Sequence, residues 1–204
     1  MSDLVTTRRS LHAVAELLLA GPQYAESGTI KLTPMLNGFG CVDAPGARVK
    51  DGDLLLGSRF AHLDGRTIAD VGRELGLEPR SLGDVYSDCV DLALDHVLSV
   101  DREAADDIAD AFEIGDAALR AFAPESAPVL WPEHFDLGIT VSEVNYGVSP
   151  GDGYLEVPYA YVGPWSLDTV EGDFWNAPFG AALPLSDIDN LAFFFSQGAD
   201  LLAR

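Results

Sequence analysis

Basic residues are scarce in this chain of 204 residues, which has 12 lysines and arginines against 33 aspartates and glutamates. Lys31 and Lys50 are its only lysines, and the formal net charge is −21. Most faces of such a molecule repel a nucleic acid backbone, so we expect no nucleic acid partner. Solubility is the simplest reason for the charge, and an acidic recognition surface is the alternative.

Cysteines and long apolar runs are also few. Cys41 and Cys89 have no CxxC spacing and lie among apolar residues, which is typical of free buried thiols in a reducing cytoplasm. No run approaches the ~20 apolar residues that cross a bilayer, so we expect no membrane partner. Arg8 and Arg9 precede the apolar run 11–20, as in an export signal, but that run has helical spacing. We therefore expect a cytoplasmic protein.

The sequence lacks the common catalytic and cofactor motifs. It has no GxSxG elbow, no Walker-type Gly-Lys loop, no HExxH, no GxGxxG and no cysteine cluster. Nucleotide cofactors and serine hydrolysis therefore have no support, and we expect no cofactor. We expect no tightly held transition metal either, although the many carboxylates leave weak Ca²⁺ or Mg²⁺ binding open.

Hydrophobic spacing predicts a helix and then a small sheet at the start of the chain. Apolar residues recur at helical spacing over 7–20, and Gly21-Pro22 is expected to end this helix. The pairs Asn37-Gly38 and Asp51-Gly52 are hairpin turn signals. They predict an antiparallel sheet over 28–63.

Three helices are predicted in the middle of the chain. The first begins at Thr67, the second has a capping-box pattern at Ser81 and Asp84, and the third runs from about Asp101 to Pro124. The apolar stripe of the second helix would consist of Leu82, Val85, Tyr86, Cys89 and Ala93. Acidic residues on the third helix fit a solvated face.

The last third is predicted to form a second strand group. Strands over 137–144 and 154–162 flank a turn at 149–153, and a capped helix covers 186–203. Residues 123–128 are the best linker candidate.

These elements predict an α+β fold. An antiparallel sheet built from two hairpin regions would pack against a central helical segment and terminal helices. With 48% hydrophobic and 22% charged residues, the chain can bury the core of a single domain over 1–204. The finer division is into sub-regions 1–123 and 129–204.

Four separated strings in the last third carry a family resemblance. They are WPEHFD at 131–136, NYGVSPGD at 145–152, PYAYVGPW at 158–165 and FWNAPFGAAL at 174–183. In this order they resemble an uncharacterised bacterial family, best represented in actinobacteria, with the strings WPxHFD, NYGxSPGD, PYxYVxPW and FWNxxFGAxL. The resemblance implies no activity, cofactor or catalytic residue.

His134 and Asp136 are the candidate catalytic residues. If residues from 134 onward are extended, these side chains project to one face of a strand. A His-x-Asp pair can hold an imidazole in one tautomer as a base, or can chelate a metal. The alternative is a structural histidine, with Ser149 and Asp152 holding the amides of their own turn. His12 is expected at a partly exposed edge of the first helix.

Aromatic and polar residues alternate over 131–165, as they do where a ligand site combines apolar walls with a few polar groups. The predicted ligand-binding residues are Trp131, Asn145, Tyr146, Asp152, Tyr159, Tyr161 and Trp165. Core or interface packing is the alternative for the aromatic residues.

Two classes of function remain open. The first is a non-enzymatic cytoplasmic module that binds a small, partly apolar molecule or a protein partner. The second is a small hydrolase or isomerase that uses His134 with Asp136. Homo-oligomerisation is compatible with both classes.

Overall fold

The computed structural model describes residues 3–87, 89–168 and 170–203. The chain folds into two compact units. The first unit comprises Met1–Asp110 and Leu130–Phe135, and the second comprises Ala111–Val129 and Asp136–Arg204.

A meander of short strands forms the sheet of the first unit. Its strands are β1 (Leu32–Met35), β2 (Gly38–Cys41), β3 (Arg48–Lys50), β4 (Asp53–Leu56), β5 (Arg59–His62) and β6 (Val129–Trp131), which pairs with β1. Val49, Leu54 and Ala61 are buried and lie opposite one another across β3, β4 and β5. The Asp51-Gly52 turn is confirmed, because both residues have positive φ, as a two-residue hairpin turn requires.

One continuous helical run supplies the core of this unit. It consists of α1 (Asp3–Val14), a π-helical segment (Ala15–Ala20) and α2 (Gly21–Ser27). The expected end at Gly21-Pro22 is wrong. The Gly21 N–H donates to the Glu16 carbonyl, which continues the π-helical pattern. Pro22 has no N–H to donate to the Leu17 carbonyl, and that carbonyl accepts instead from the Arg80 N–H at 3.0 Å.

Two of the three predicted middle helices are present, and one is not. Thr67 caps α3 (Ile68–Leu75), and α4 (Arg102–Phe122) ends before Pro124 as expected. The described part of 76–101 contains no helix, so the helix predicted from Ser81 is wrong. Ser81 Oγ accepts from Gly83 N–H, and the Val90 N–H donates to a side chain of the first helical run. At Val90 a tertiary partner thus takes the place of a helical hydrogen bond.

The second unit packs helices on one face of a four-stranded sheet. Its elements are residues 111–122 of α4, β7 (Asp136–Val141), β8 (Val144–Ser149), β9 (Tyr159–Pro164), β10 (Ala181–Pro184) and α5 (Leu191–Leu202). On the helix-facing side, the Tyr146 ring lies 4.6 Å from Phe122 and 6.1 Å from Phe195, measured between ring centroids. The outer edge of β10 is covered by Asn176, whose side chain bonds both the N–H and the carbonyl of Ala182.

The α+β fold class is confirmed. In the described part of the chain, each unit has an antiparallel sheet on which helices pack, with the strand order β6–β1–β2–β3–β4–β5 in the first unit and β10–β9–β8–β7 in the second. None of the described helices combines the length and the apolar character that crossing a membrane requires.

Candidate functional site

His134 lies in a turn rather than in a strand. Residues 132–135 form this turn, and Phe135 has a φ of 52°. The extended run expected from residue 134 is therefore wrong, and the geometric reason for pairing His134 with Asp136 is lost. Burial of the Phe135 ring against Phe39, at 5.2 Å between centroids, explains the turn. The His134 side chain is exposed.

The histidine that this turn encloses is His12. Its ring stacks on Phe135 at 5.4 Å, and its Nε2 donates to the carbonyl of Pro132 at 2.7 Å. Burial is the main reason why the pKa of His12 is lowered to about 4, and the nearby His134 and Arg8 act in the same direction. His12 is partly exposed, as expected, and its contacts with Phe135 and Pro132 give it a structural role.

Trp131, the one predicted ligand-binding residue that lies in the first unit, is half-buried in β6. The Lys31 ammonium lies 6.0 Å from the centre of its ring, at the outer limit of a cation–π contact. This contact shields one face of the indole ring.

In the second unit, Tyr161 and Asp136 meet. The Tyr161 hydroxyl donates to Asp136 Oδ2, and the phenol lies across Gly138 and Gly147 on the neighbouring strands. A Cβ atom at Gly147 would collide with this phenol. Burial, followed by the charge of Asp136, raises the pKa of Tyr161 well above its ordinary value.

Tyr159 and Asp152 form a second tyrosine–aspartate pair beside the first. The Tyr159 hydroxyl donates to Asp152 Oδ2 at 2.6 Å, and the rings of Tyr159 and Tyr161 are 6.4 Å apart. Burial and this hydrogen bond raise the pKa of Tyr159. Asp152 Oδ1 also accepts from the Tyr154 N–H, and Ser149 Oγ accepts from the Gly151 N–H, as the structural interpretation predicts. Tyr159 is only 4% exposed, so it offers no open wall to a ligand.

Asn145 and Trp165 lie together at the exposed end of the same sheet. Asn145 Oδ1 accepts from Thr140 Oγ1 at 2.8 Å and from Trp165 Nε1 at 3.3 Å. Trp165 is 67% exposed, whereas Tyr146 lies in the core on the opposite face. The structure therefore brings most of the predicted residues of the second unit together as three separate pairs. Trp131 lies in the first unit.

The first unit contains an open cavity that the sequence did not predict. We call it the β3–β5 groove; its volume is about 250 Å³, and its lining includes Lys50, Asp53, Leu55, Arg59, Phe60 and Arg102. Arg48, Leu55 and Phe60 lie opposite one another on the sheet face that points away from the buried row of Val49, Leu54 and Ala61. The groove therefore lies on the outer face of the sheet.

An alternation of apolar and polar residues along β4 would have shown which of its side chains lie on the outer face of the sheet. The run Leu54-Leu55-Leu56 has no such alternation, so the sequence gives no sign of the groove. Arg102 belongs to a helix more than forty positions further along the chain, which no local pattern connects to β4. Phe60 is 56% exposed, and only the structure shows it beside Leu55.

No metal site is found among the residues that the structure describes, where no group of three histidine, cysteine or acidic side chains could hold an ion. Models of protein families, curated proteins and solved structures were compared with the chain, and none matches it. The family resemblance of the last third and the enzymatic alternative both stay predictions.

Proposed function

We propose that this protein is a non-enzymatic module that binds a small, partly apolar molecule in the β3–β5 groove. The observation that carries the proposal is an open cavity of about 250 Å³ with an apolar floor formed by Leu55 and Phe60. Ligand sites combine such apolar walls with a few polar groups that fix orientation.

The volume of the groove favours a small molecule over a protein partner. Pockets for drug-sized ligands enclose roughly 300–1,000 Å³, so this groove fits a molecule at or below that range. Protein interfaces bury about 800 Å² on each partner, much more surface than a ligand of this size covers. Phe60 supplies the largest apolar surface, and burying it under a ligand is favourable.

Binding of a neutral aromatic probe tests this function. Isothermal titration calorimetry with 2-naphthylmethanol should detect saturable binding to the native protein. Phe60→Ser should weaken that binding about tenfold or more, since it removes the main apolar contact. Phe193→Ser is the matched control, because Phe193 is 65% exposed but lies in the second unit, and it should leave the affinity unchanged. Absence of binding, or equal loss in both variants, contradicts the proposal.

We also propose a cytoplasmic location and no nucleic acid partner. The free thiols of Cys41 and Cys89 support the first proposal, because a reducing compartment preserves thiols. The net charge of −21 supports the second. A gel-shift experiment with duplex DNA at physiological salt should show no retardation, and submicromolar binding would contradict this.

A further inference from the structure

We propose that the ligand of the β3–β5 groove is an anion, in which a carboxylate or phosphate group is attached to a flat apolar group. This inference rests on the function proposed above and specifies the chemical class of its ligand. Arg59, Arg102 and Lys50 would hold the anionic group, while the apolar group rests on Phe60 and Leu55.

The concentration of cations at this groove is unusual for the chain. Three of its 12 basic residues line one small cavity, although the whole chain has 33 acidic residues. Within the described ranges, Lys50, Arg59 and Arg102 form no ion pair, whereas Arg66, Arg73 and Arg120 each pair with a carboxylate. The three groove cations therefore keep their charge available for a ligand.

The two carboxylates of the groove have partners outside this cation set. Asp53 Oδ1 lies 3.0 Å from Nδ1 of His62, and Asp51 Oδ1 accepts from the side-chain amide of Asn37 at 2.9 Å. The lining includes both carboxylates, and its three cations leave a local excess of one positive charge. This excess contrasts with the charge of the whole molecule.

Two features favour a carboxylate or phosphate over other anions. The guanidinium groups of Arg59 and Arg102 can each donate two parallel hydrogen bonds to such a group, which matches their planar geometry. Arg102 is also the first residue of α4, so the positive end of the helix dipole lies at the same place. The dipole adds to the side-chain charges and does not define the site alone.

A series of probes that differ only in charge tests the inference. We would titrate native protein at pH 7 with 2-naphthoate, 2-naphthylmethanol and 2-naphthylmethylammonium, which share one ring system. Charge-assisted hydrogen bonds should make the naphthoate bind about tenfold or more tighter than the alcohol, with the ammonium weakest. Probe charge is a cleaner variable than salt, because salt also screens the repulsion between an anion and the acidic molecule.

The variant Arg59→Gln/Arg102→Gln should abolish the preference for naphthoate and leave the alcohol affinity nearly unchanged. The matched control is Arg66→Gln/Arg73→Gln, which makes the same change in net charge at arginines that already have carboxylate partners. This control should keep the preference.

The outcomes separate the two proposals. Equal affinities of the alcohol and the naphthoate, both sensitive to Phe60→Ser, would overturn the anionic class and leave the binding function standing. Loss of preference in the control variant as well would also overturn it, because the effect would then come from net charge. If neither probe binds, the proposed function fails and the inference fails with it. If the naphthoate is preferred, comparing its affinity with that of naphthyl phosphate distinguishes the two anionic groups.

Discussion

Glu16 Oε2 accepts a 2.8 Å hydrogen bond from the backbone N–H of Val90, 74 positions further along the chain. Glu16 is the one charged residue of the π-helical segment and is 0% exposed. Its Oε1 and the hydroxyl of Tyr86 are buried without a hydrogen-bond partner among the described residues. Burial, and then the charge of Glu16, raises the pKa of Tyr86. Glu16 thus anchors the segment that was expected to be a helix.

Glutamine should replace Glu16 with little loss of stability. Its amide oxygen can accept from Val90, and its NH₂ group can donate to the Tyr86 hydroxyl, so Glu16→Gln should change the free energy of unfolding by less than about 1 kcal/mol. Glu16→Ala should cost about 2–5 kcal/mol, because it leaves a cavity and an unpaired N–H. Urea unfolding measures both, with Glu103→Gln on an exposed helix position as control. Equal losses for the two Glu16 variants would contradict this role.

Stability should fall in mild acid because of His12. Its pKa is about 4 in the folded protein and about 6.5 in the unfolded chain, so the unfolded chain binds the proton more tightly. The stabilisation is complete above pH 6.5 and decreases as the pH falls towards 4, by up to about 3 kcal/mol.

The difference in unfolding free energy between wild type and His12→Gln isolates this effect from the many carboxylates. That difference should decrease from pH 7 to pH 4.5. His134→Gln is the matched variant, and because His134 is exposed it should change stability by less than about 0.5 kcal/mol at pH 7. A pH-independent difference for His12, or a large loss for His134, would refute this assignment.

Removing the Tyr161 hydroxyl should destabilise the protein less than placing a methyl group at Gly147, where the Tyr161 ring lies. Tyr161→Phe removes one hydrogen bond to a carboxylate and should cost about 1–3 kcal/mol. Gly147→Ala should cost more, since its Cβ meets both the Tyr161 phenol and, at 2.5 Å, the Leu137 carbonyl. Thermal unfolding of both variants checks this order. The reverse order would mean that the ring does not lie across Gly147.

Local signals predicted those elements whose hydrogen bonds are local. Thr67 caps α3 through the Asp70 N–H at 3.1 Å, and Asp51-Gly52 turns between β3 and β4. The C-terminal helix begins later than the sequence predicts, because Asn190 rather than Ser186 caps it, accepting from the Phe193 N–H at 3.0 Å. In each case residues close in sequence determine where the helix begins or where the chain turns.

Long-range partners decided what the sequence could not predict. The apolar stripe around Tyr86 fits a helix, yet a carboxylate 74 positions from Val90 takes the backbone donor that such a helix would use. The Trp131–Asp136 string contains the alternation of a strand, but Phe135 turns inward to His12 and Phe39. The sequence does not reveal the β3–β5 groove, because Arg102 reaches it only through tertiary structure.

The most direct test of the account is to map where 2-naphthoate binds. Two-dimensional ¹H–¹⁵N spectra of the labelled protein should show chemical-shift changes concentrated at residues 50–60 and at Arg102, and Arg59→Gln/Arg102→Gln should suppress them. Shift changes concentrated instead at residues 131–165, unaffected by that variant, would contradict the groove and favour the site that the sequence alone predicts.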